Sequence, residues 1–270
     1  TKKIMKGKVK LVVSDMDGTL LNDQHQLHPE FFEVYRKLRN QEILFVPASG
    51  RQYYSLLHYF HPIQEEIGFI AENGSYVTFQ NKVLFTDTLP IEKVTEIVLL
   101  TRQIPLANSV VCGTQHAYVE SKNSDFIELF QNFYYQNLLV DNVLDYLSED
   151  QIIKVAVHHP KNAEKYLYPA LQHLDQKGLK VVVSGKNWID IMNEHTNKGK
   201  ALRKLQQALG ISPEETIVFG DYLNDIEMLQ EAYYSFAMEN AHPLVKEIAR
   251  LQTGNNNEFA VVEVLKSLLD

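Results

Sequence analysis

An α/β fold, a parallel-sheet core interrupted by an inserted α+β domain, is predicted by three features of this 270-residue sequence. Short apolar runs alternate with helical stretches at both ends of the chain, the order that parallel strands with crossover helices require. Several of those runs end in carboxylates, hydroxyls or glycines, and the carboxyl ends of strands are where open α/β sheets hold ligands. Between about Leu84 and Ser184 the pattern changes to hairpins mixed with helices, and no strand there ends in acid. The predicted division is therefore a core of residues 1–84 and 185–270 and an insert of residues 85–184.

The elements follow in order. Val9 to Ser14 is a strand that runs into Asp15 and Asp17. His28 to Asn40 reads as a helix, with Pro29 suited to its first turn and Phe31, Phe32, Tyr35 and Leu38 at helical spacing. Asn40, a residue that tolerates the left-handed conformation, is expected to end that helix. Ile43 to Ala48 is a second strand, closed by Ser49-Gly50-Arg51, and a short helix runs from Gln52 to Tyr59. Gly68 to Ala71 is a third strand, and Asn73-Gly74 is a turn signal before a strand at Ser75 to Phe79.

In the insert, Ile91 to Arg102 reads as a helix. Ser109 to Cys112 and Gln115 to Glu120 form a hairpin around Gly113-Thr114, and Phe126 to Gln136 is an aromatic helix. Ile152 to His158 and Leu179 to Ser184 are strands, with a helix at Ala163 to Lys177 between them. Trp188 to Met192 is expected to rejoin the core sheet. Lys198 to Leu209 is a helix stopped by Gly210, and Ser212-Pro213-Glu214-Glu215 is a capping box. A strand at Thr216 to Phe219 ends in Gly220-Asp221. A helix (Asn224 to Glu231), a strand (Tyr234 to Met238), a helix (Pro243 to Ala249) and an amphipathic helix (Phe259 to Leu269) complete the chain.

A formal net charge of −8 argues against nucleic acid as a partner. The single Cys112 cannot form an intrachain disulfide and fits a reducing cytoplasm, the expected location. The basic start, Thr1 to Lys8, lacks the apolar segment of a signal peptide. No run approaches the roughly 18 apolar residues of a membrane span, so no membrane partner is expected.

Four strand ends or helix starts carry reactive residue types. Asp15 and Asp17 come first, two acids whose repulsion calls for a cation or a shared proton. Ser49-Gly50 offers a hydroxyl and a flexible amide able to hold a phosphate oxygen. Lys198 places a point charge at a helix start. Gly220-Asp221 with Asn224 and Asp225 forms an acidic cluster after another strand. Together they supply a nucleophile, an acid/base, a metal clamp and phosphate donors, the parts that phosphoryl transfer needs.

These segments resemble the haloacid-dehalogenase-like phosphatases, in the Cof-type subfamily with a large α/β cap. The resemblance rests on Asp15-Met16-Asp17-Gly18-Thr19-Leu20-Leu21, Ala48-Ser49-Gly50-Arg51, Asn73-Gly74, Lys198-Gly199-Lys200-Ala201-Leu202 and Gly220-Asp221-Tyr222-Leu223-Asn224-Asp225. Ala237-Met238-Glu239-Asn240-Ala241 is similar to a further subfamily signature. All of them stand in family order, at both ends of the chain, around a long insert. Two positions depart from the pattern: Asn40-Gln41-Glu42 stands where the subfamily has Gly, and Glu239 stands where it favours Gly.

The resemblance implies a Rossmann-like core, an inserted cap that closes over the site, Mg²⁺ as cofactor and a small phosphorylated metabolite, with sugar phosphates leading, as substrate. By the same resemblance Asp15 attacks phosphorus and forms an aspartyl-phosphate. Asp17 acts as acid, then base, and binds Mg²⁺ through its main-chain carbonyl. Asp15 and Asp221 are metal ligands and Asp225 stands behind them. Ser49, the Gly50 amide, Lys198 and Asn224 hold phosphoryl oxygens, and Arg51 braces its loop.

Within the insert the simpler readings stand. Phe126, Phe130, Phe133 and Tyr134 are core of the cap, Cys112 is a small buried apolar residue, and His158-His159 lacks a third ligand nearby in sequence. Competing readings of the whole are a phosphate-ligand sensor with little turnover and a phosphomutase. A dehalogenase is disfavoured, because it needs no second acid such as Asp17.

Overall fold

Strands buried on both faces need apolar side chains throughout, and β1 (Leu11–Ser14) has no exposed residue in the computed structural model, which describes residues 7–269. Residues 1–6 of the basic start and residue 270 lie outside the described residues. α1 (Phe31–Asn40) buries Phe31, Val34, Tyr35 and Leu38 along one face. It begins later than its sequence pattern suggests, so Pro29 precedes the cap residue Glu30 instead of occupying the first turn. The expected left-handed Asn40 is also corrected: Asn40 stays helical and Glu42 takes the left-handed conformation, at φ 60°. The reversal into β2 (Leu44–Pro47) needs one such residue, and it falls after Gln41 has donated to the last helical carbonyls.

α2 (Tyr53–Tyr59) and β3 (Gly68–Ala71) follow, and a turn at Glu72–Gly74 folds β3 antiparallel onto β4 (Tyr76–Phe79). β5 (Lys82–Thr86) is the outer strand of that small sheet. Phe31, Phe45, Phe60 and Phe69 meet with ring centroids 5.1 to 6.1 Å apart. Burial of each such ring contributes about 1.5–3 kcal/mol. The cluster locks β2, and hence Ser49 beyond its end, against the neighbouring elements.

The chain divides into two compact units, one ending at Phe85 and resuming at Asn197, the other spanning Thr86–Thr196. The second contains α3 (Ile91–Arg102), β6 (Asn108–Gly113), β7 (Ala117–Val119), α4 (Ser124–Phe133), β8 (Asn137–Leu139), β9 (Ile152–His158), α5 (Ala163–Tyr166), α6 (Tyr168–Leu171), β10 (Leu179–Gly185) and β11 (Trp188–Asn193). Its sheet has the order β10-β11-β9-β6-β7-β8. Trp188 to Met192 therefore does not rejoin the core sheet. β11 lies between β10 and β9, antiparallel to both, and its Ile189 and Ile191 join Val155, Val157 and Val181 in the cap's own apolar core. The boundary expected at residues 184/185 accordingly falls at 196/197.

Two helices of the insert are shorter than periodicity implies. α4 stops at Phe133 because Tyr134 turns extended, and the next residues pair as β8 with β7. The stretch from Ala163 to Lys177 breaks into α5, α6 and a 3₁₀ segment around Pro169, which lacks the N–H a continuous helix would need. Phe126, Phe130 and Tyr134 are buried, whereas Phe133 faces solvent. His158 packs against the rings of Phe126 and Trp188, which also meet each other, and His159 stacks on Tyr166.

The core resumes with α7 (Lys198–Leu209), β12 (Thr216–Gly220), α8 (Ile226–Gln230), β13 (Tyr234–Ala237), α9 (Pro243–Ile248), β14 (Leu251–Gln252) and α10 (Ala260–Leu269). Asn224 and Asp225, expected to begin the helix that continues as α8, fall instead in a separate 3₁₀ turn at Leu223–Asp225. The core sheet is parallel throughout, in the order β14-β13-β12-β1-β2, and an Ala48–Ile70 bridge continues it toward β3. From central β1 the chain first builds outward through β2 and later returns on the other side through β12. That change of direction opens a crevice at the carboxyl ends of β1 and β12, where ligands bind in such sheets.

Candidate active site

The loops leaving β1 and β12 and the first turn of α7 bring four of the expected residues together. Asp15 follows β1 directly, its N–H bonded to the carbonyl of Phe219 at 3.0 Å. Lys198 opens α7 behind the N-cap Asn197 and is wholly buried. Its Nζ donates to Asp15 Oδ1 at 2.6 Å and to Asp225 Oδ1 at 2.8 Å. Asp225 Oδ2 accepts from the N–H groups of Asp221 at 2.9 Å and Tyr222 at 3.2 Å, closing the loop after β12 around a buried carboxylate. Asp221 Oδ1 accepts from Thr19 Oγ1 at 3.2 Å, which ties the two loops to each other.

Glycine is required at two of these approaches. Gly18 sits at φ +75°, and a Cβ there would lie 2.3 Å from Asp221 Oδ2. A Cβ on Gly220 would lie 2.6 Å from the Cβ of Asp225.

Asp15, Asp221 and Asp225 each offer a carboxylate oxygen within 4.8 Å of the others, the one such acidic group among the described residues. One lysine against three carboxylates leaves negative charge in excess. Burial first, and then the Asp225 charge, push Asp15 well above the usual carboxylate range, although Lys198 pulls the other way. The same two causes push Asp221 up to about 6. Burial disfavours the charged form of Lys198, but the flanking Asp15 and Asp225 outweigh it and hold the ammonium protonated. A divalent cation fits this donor set. Hard oxygen ligands converge, burial and the neighbouring carboxylate charge both disfavour the ionised forms of Asp15 and Asp221 that a cation would stabilise, and Mg²⁺ binds through few carboxylates. Asp225 is the least available of the three, since both its oxygens already serve Lys198 and main-chain amides.

Asp17 stands apart from this group. Its carboxylate is gripped by Arg51, with Nε donating to Oδ2 and Nη2 to Oδ1, both at 2.7 Å. His25 Nδ1 lies 3.0 Å from Oδ1. Burial would raise Asp17, but Arg51 and His25 together hold it below the usual carboxylate range. Arg51 also stacks over the ring of Tyr59, whose hydroxyl donates to the His25 carbonyl at 3.1 Å. Arg51 thus does more than brace its loop.

Ser49 is buried just past β2, with its Oγ accepting from Arg51 N–H at 3.0 Å. Gly50 follows, and a Cβ on it would lie 3.1 Å from Asn73 Oδ1. Asn224 is exposed and donates to that same Asn73 oxygen at 3.1 Å, so its amide is placed on a neighbouring loop. His25 escaped sequence reasoning, because nothing in Asn22-Asp23-Gln24-His25-Gln26 marks a ring that folds back eight residues to Asp17. In the sequence Asn73 reads as a turn residue within a family motif and is given no role in the site; its left-handed φ of 56° turns its amide toward Gly50 and Asn224.

A family model described as haloacid dehalogenase-like hydrolase matches residues 12–265. The 5-amino-6-(5-phospho-D-ribitylamino)uracil phosphatase YbjI of Escherichia coli (strain K12) is 38% identical, over 97% of this chain and 96% of its own. The HMP-PP phosphatase of Escherichia fergusonii is 27% identical over 97% of this chain and 96% of its own. The crystal structure of TM0651 from Thermotoga maritima superposes with a TM-score of 0.86 at 27% identity, covering 96% of this chain and 97% of that one. With its parallel core, its inserted antiparallel sheet and its acidic crevice, the chain belongs to the haloacid dehalogenase-like hydrolases and is a phosphatase of that family.

Proposed function

We propose that the protein is a Mg²⁺-dependent phosphomonoesterase that hydrolyses a small phosphorylated metabolite through an aspartyl-phosphate on Asp15. The observation that carries this reading is the Asp15 carboxylate beside the buried Lys198 ammonium, 2.6 Å away, in a group of acids able to share a cation.

In the first half-reaction an Asp15 oxygen forms a bond to phosphorus as the bond from phosphorus to the leaving oxygen breaks. Asp17, in the protonated form that Arg51 and His25 disfavour and that is therefore a strong acid, gives its proton to that leaving oxygen and releases an alcohol. In the second half Asp17, now the carboxylate form that Arg51 and His25 favour, takes a proton from water as the water attacks the aspartyl-phosphate. Inorganic phosphate leaves, and Asp15 and protonated Asp17 are restored. Lys198, Ser49, the Gly50 amide and Asn224 are assigned to the phosphoryl oxygens, where preformed donors stabilise developing charge. Asp15, Asp221 and the Asp17 main-chain carbonyl would hold Mg²⁺, with Asp225 orienting Lys198 and the Asp221 loop. When bound, the cation supplies neutralisation of charge on the transferring group.

The names of the relatives support a substrate class to test first. The 38%-identical protein is named for a phosphate ester on a ribityl chain, so sugar and sugar-alcohol phosphates are the first compounds to test. The assay is phosphate release from such a panel, with and without Mg²⁺, by the unaltered protein and by Asp15→Asn. Release that requires Mg²⁺ and is abolished in Asp15→Asn is expected. Wild-type turnover by Asp15→Asn would remove the nucleophile assignment. Tight binding of one ester without any release would make the protein a sensor.

A further inference from the structure

The segment Met238–His242, a motif with no role so far, touches both loops of the site. Met238 N–H donates to the Gly220 carbonyl at 3.2 Å and His242 N–H to the Asp221 carbonyl at 2.8 Å, which secures the loop after β12. Asn240 reaches the other loop: its Nδ2 donates to the Gly18 carbonyl at 2.8 Å. The Asn240 amide cannot be turned over without loss, because its Oδ1 accepts from Asn256 N–H at 3.1 Å. Asn256 Nδ2 in turn donates to the Leu21 carbonyl at 3.0 Å. Two asparagines thus hold both ends of the turn Gly18–Leu21. Gly18 has the weakest conformational preference of any residue type, so its main chain depends on the bonds around it: Thr19 N–H donates to the Met16 carbonyl at 3.2 Å within the turn, and Asn240 holds the Gly18 carbonyl from outside it. Its backbone lies against Asp221 Oδ2, and the next residue, Thr19, bonds Asp221 Oδ1.

We infer that Asn240 is a positioning residue for the reaction. Its amide fixes the main chain at Gly18, and with it the Asp17 carbonyl and the Thr19 hydroxyl, in register with Asp221 for a shared cation. The inference rests on the phosphatase reading above.

The test uses the full chain and three variants. Asn240→Asp keeps the shape but sets a carboxylate oxygen against the Gly18 carbonyl. Asn240→Ala removes the donor without adding repulsion. Asn257→Ala removes neighbouring bonds that reach only Asp23. Mg²⁺ is titrated in two ways, by the rise in melting temperature without substrate and by hydrolysis of an aryl phosphate. In Asn240→Asp the half-saturating Mg²⁺ concentration is expected to rise about tenfold by both readouts, and kcat to fall about tenfold while KM stays within about twofold. Asn240→Ala should move the same quantities in the same direction by less, and Asn257→Ala should match the unaltered protein. Unchanged Mg²⁺ dependence in Asn240→Asp, or an equal shift in Asn257→Ala, would overturn the inference. If the unaltered protein hydrolyses nothing, the phosphatase reading fails, and the melting titration still decides on Asn240.

Discussion

Arg51 holds both oxygens of Asp17 in a parallel two-point grip, with each N···O distance at 2.7 Å. A guanidinium fork matches a carboxylate plane in a way that a lysine ammonium does not. Arg51→Lys and Arg51→Met are therefore both expected to leave Asp17 poorly oriented and to lower kcat about tenfold or more. Comparison of kcat and KM on one aryl phosphate checks this, since loss of orientation lowers kcat with little change in KM. The grip also links Asp17 to pH. Its carboxyl is depressed below the usual aspartate value of 3.8, so it adds stability above that value which is lost as pH falls through the depressed value. The gap in melting temperature between the unaltered protein and Arg51→Met should be full at neutral pH and shrink in acid.

Lys198 is the counter-charge for two carboxylates and has no exposure to water. Lys198→Met leaves Asp15 and Asp225 buried and uncompensated, and removal of one partner from a buried ion pair typically costs about 3–5 kcal/mol. Urea unfolding at neutral pH should show a loss of that order. The loss should narrow at low pH, where the acids take up protons and no longer need the ammonium. An unchanged unfolding midpoint at neutral pH would mean that Lys198 is not what neutralises the site.

The raised acids Asp15 and Asp221 tie stability to pH with a sign opposite to that of Asp17, and a bound cation should change that dependence. Burial and the Asp225 charge raise Asp221 to about 6, and Asp15 is raised as well. Raised acids bind protons more tightly folded than unfolded. The Asp221 contribution is complete below the usual aspartate value of 3.8 and lost as pH climbs through about 6, and that of Asp15 is lost as pH climbs through its own raised value. Mg²⁺ should therefore raise the melting temperature strongly at pH about 8 and little at pH about 5, where protons already relieve the repulsion. Calorimetry with EDTA and with Mg²⁺ at the two pH values checks this. An equal shift at both would disconnect the cation from these carboxylates.

The parts of the site that a local pattern can encode were legible. An apolar run ending in Asp15, Gly220-Asp221 after another strand and a lysine at a helix start are each readable within a few residues. Sheet membership was not: Trp188–Asn193 alternates as any half-buried strand does, and only pairing with β9 and β10 assigns it to the cap. Contacts made across long sequence distances were equally hidden, as with Asn240 and Gly18, 222 residues apart. The hairpin at Gly113-Thr114 shows the division within one feature. Its turn is visible in the sequence, but the carboxylate that closes it comes from Asp150, far along the chain.

Asp150 accepts from Thr114 N–H and Oγ1, both at 3.0 Å, from His116 N–H at 3.1 Å and from Tyr118 Oη at 2.9 Å. Asp150→Asn keeps the shape but turns one acceptor into a donor that faces other donors. A loss of about 1–3 kcal/mol from the cap is expected, the usual cost of stranded polar groups. Hydrogen exchange should show it as faster exchange at residues 114–118, with α7 and β12 unaffected.

Glu42 offers a gain in stability. It holds the left-handed conformation at φ 60° where α1 turns into β2. A residue with a Cβ loses about 1–2 kcal/mol in that conformation, whereas glycine enters it freely. Glycine also loses more entropy on folding, by roughly 0.5–1 kcal/mol, so Glu42→Gly should be net stabilising by about 0.5–1 kcal/mol. Among the described residues the Glu42 side chain makes no bond that opposes the change: the hydrogen bond that organises this turn is made by its main-chain N–H, which donates to Arg39 O at 2.9 Å and survives in glycine. The substitution lies at the amino-terminal end of β2, while Ser49 lies past its carboxyl end, so kcat should not move. A higher urea midpoint with unaltered turnover is the expected result. A lower midpoint would mean that the left-handed turn is held by something other than backbone geometry.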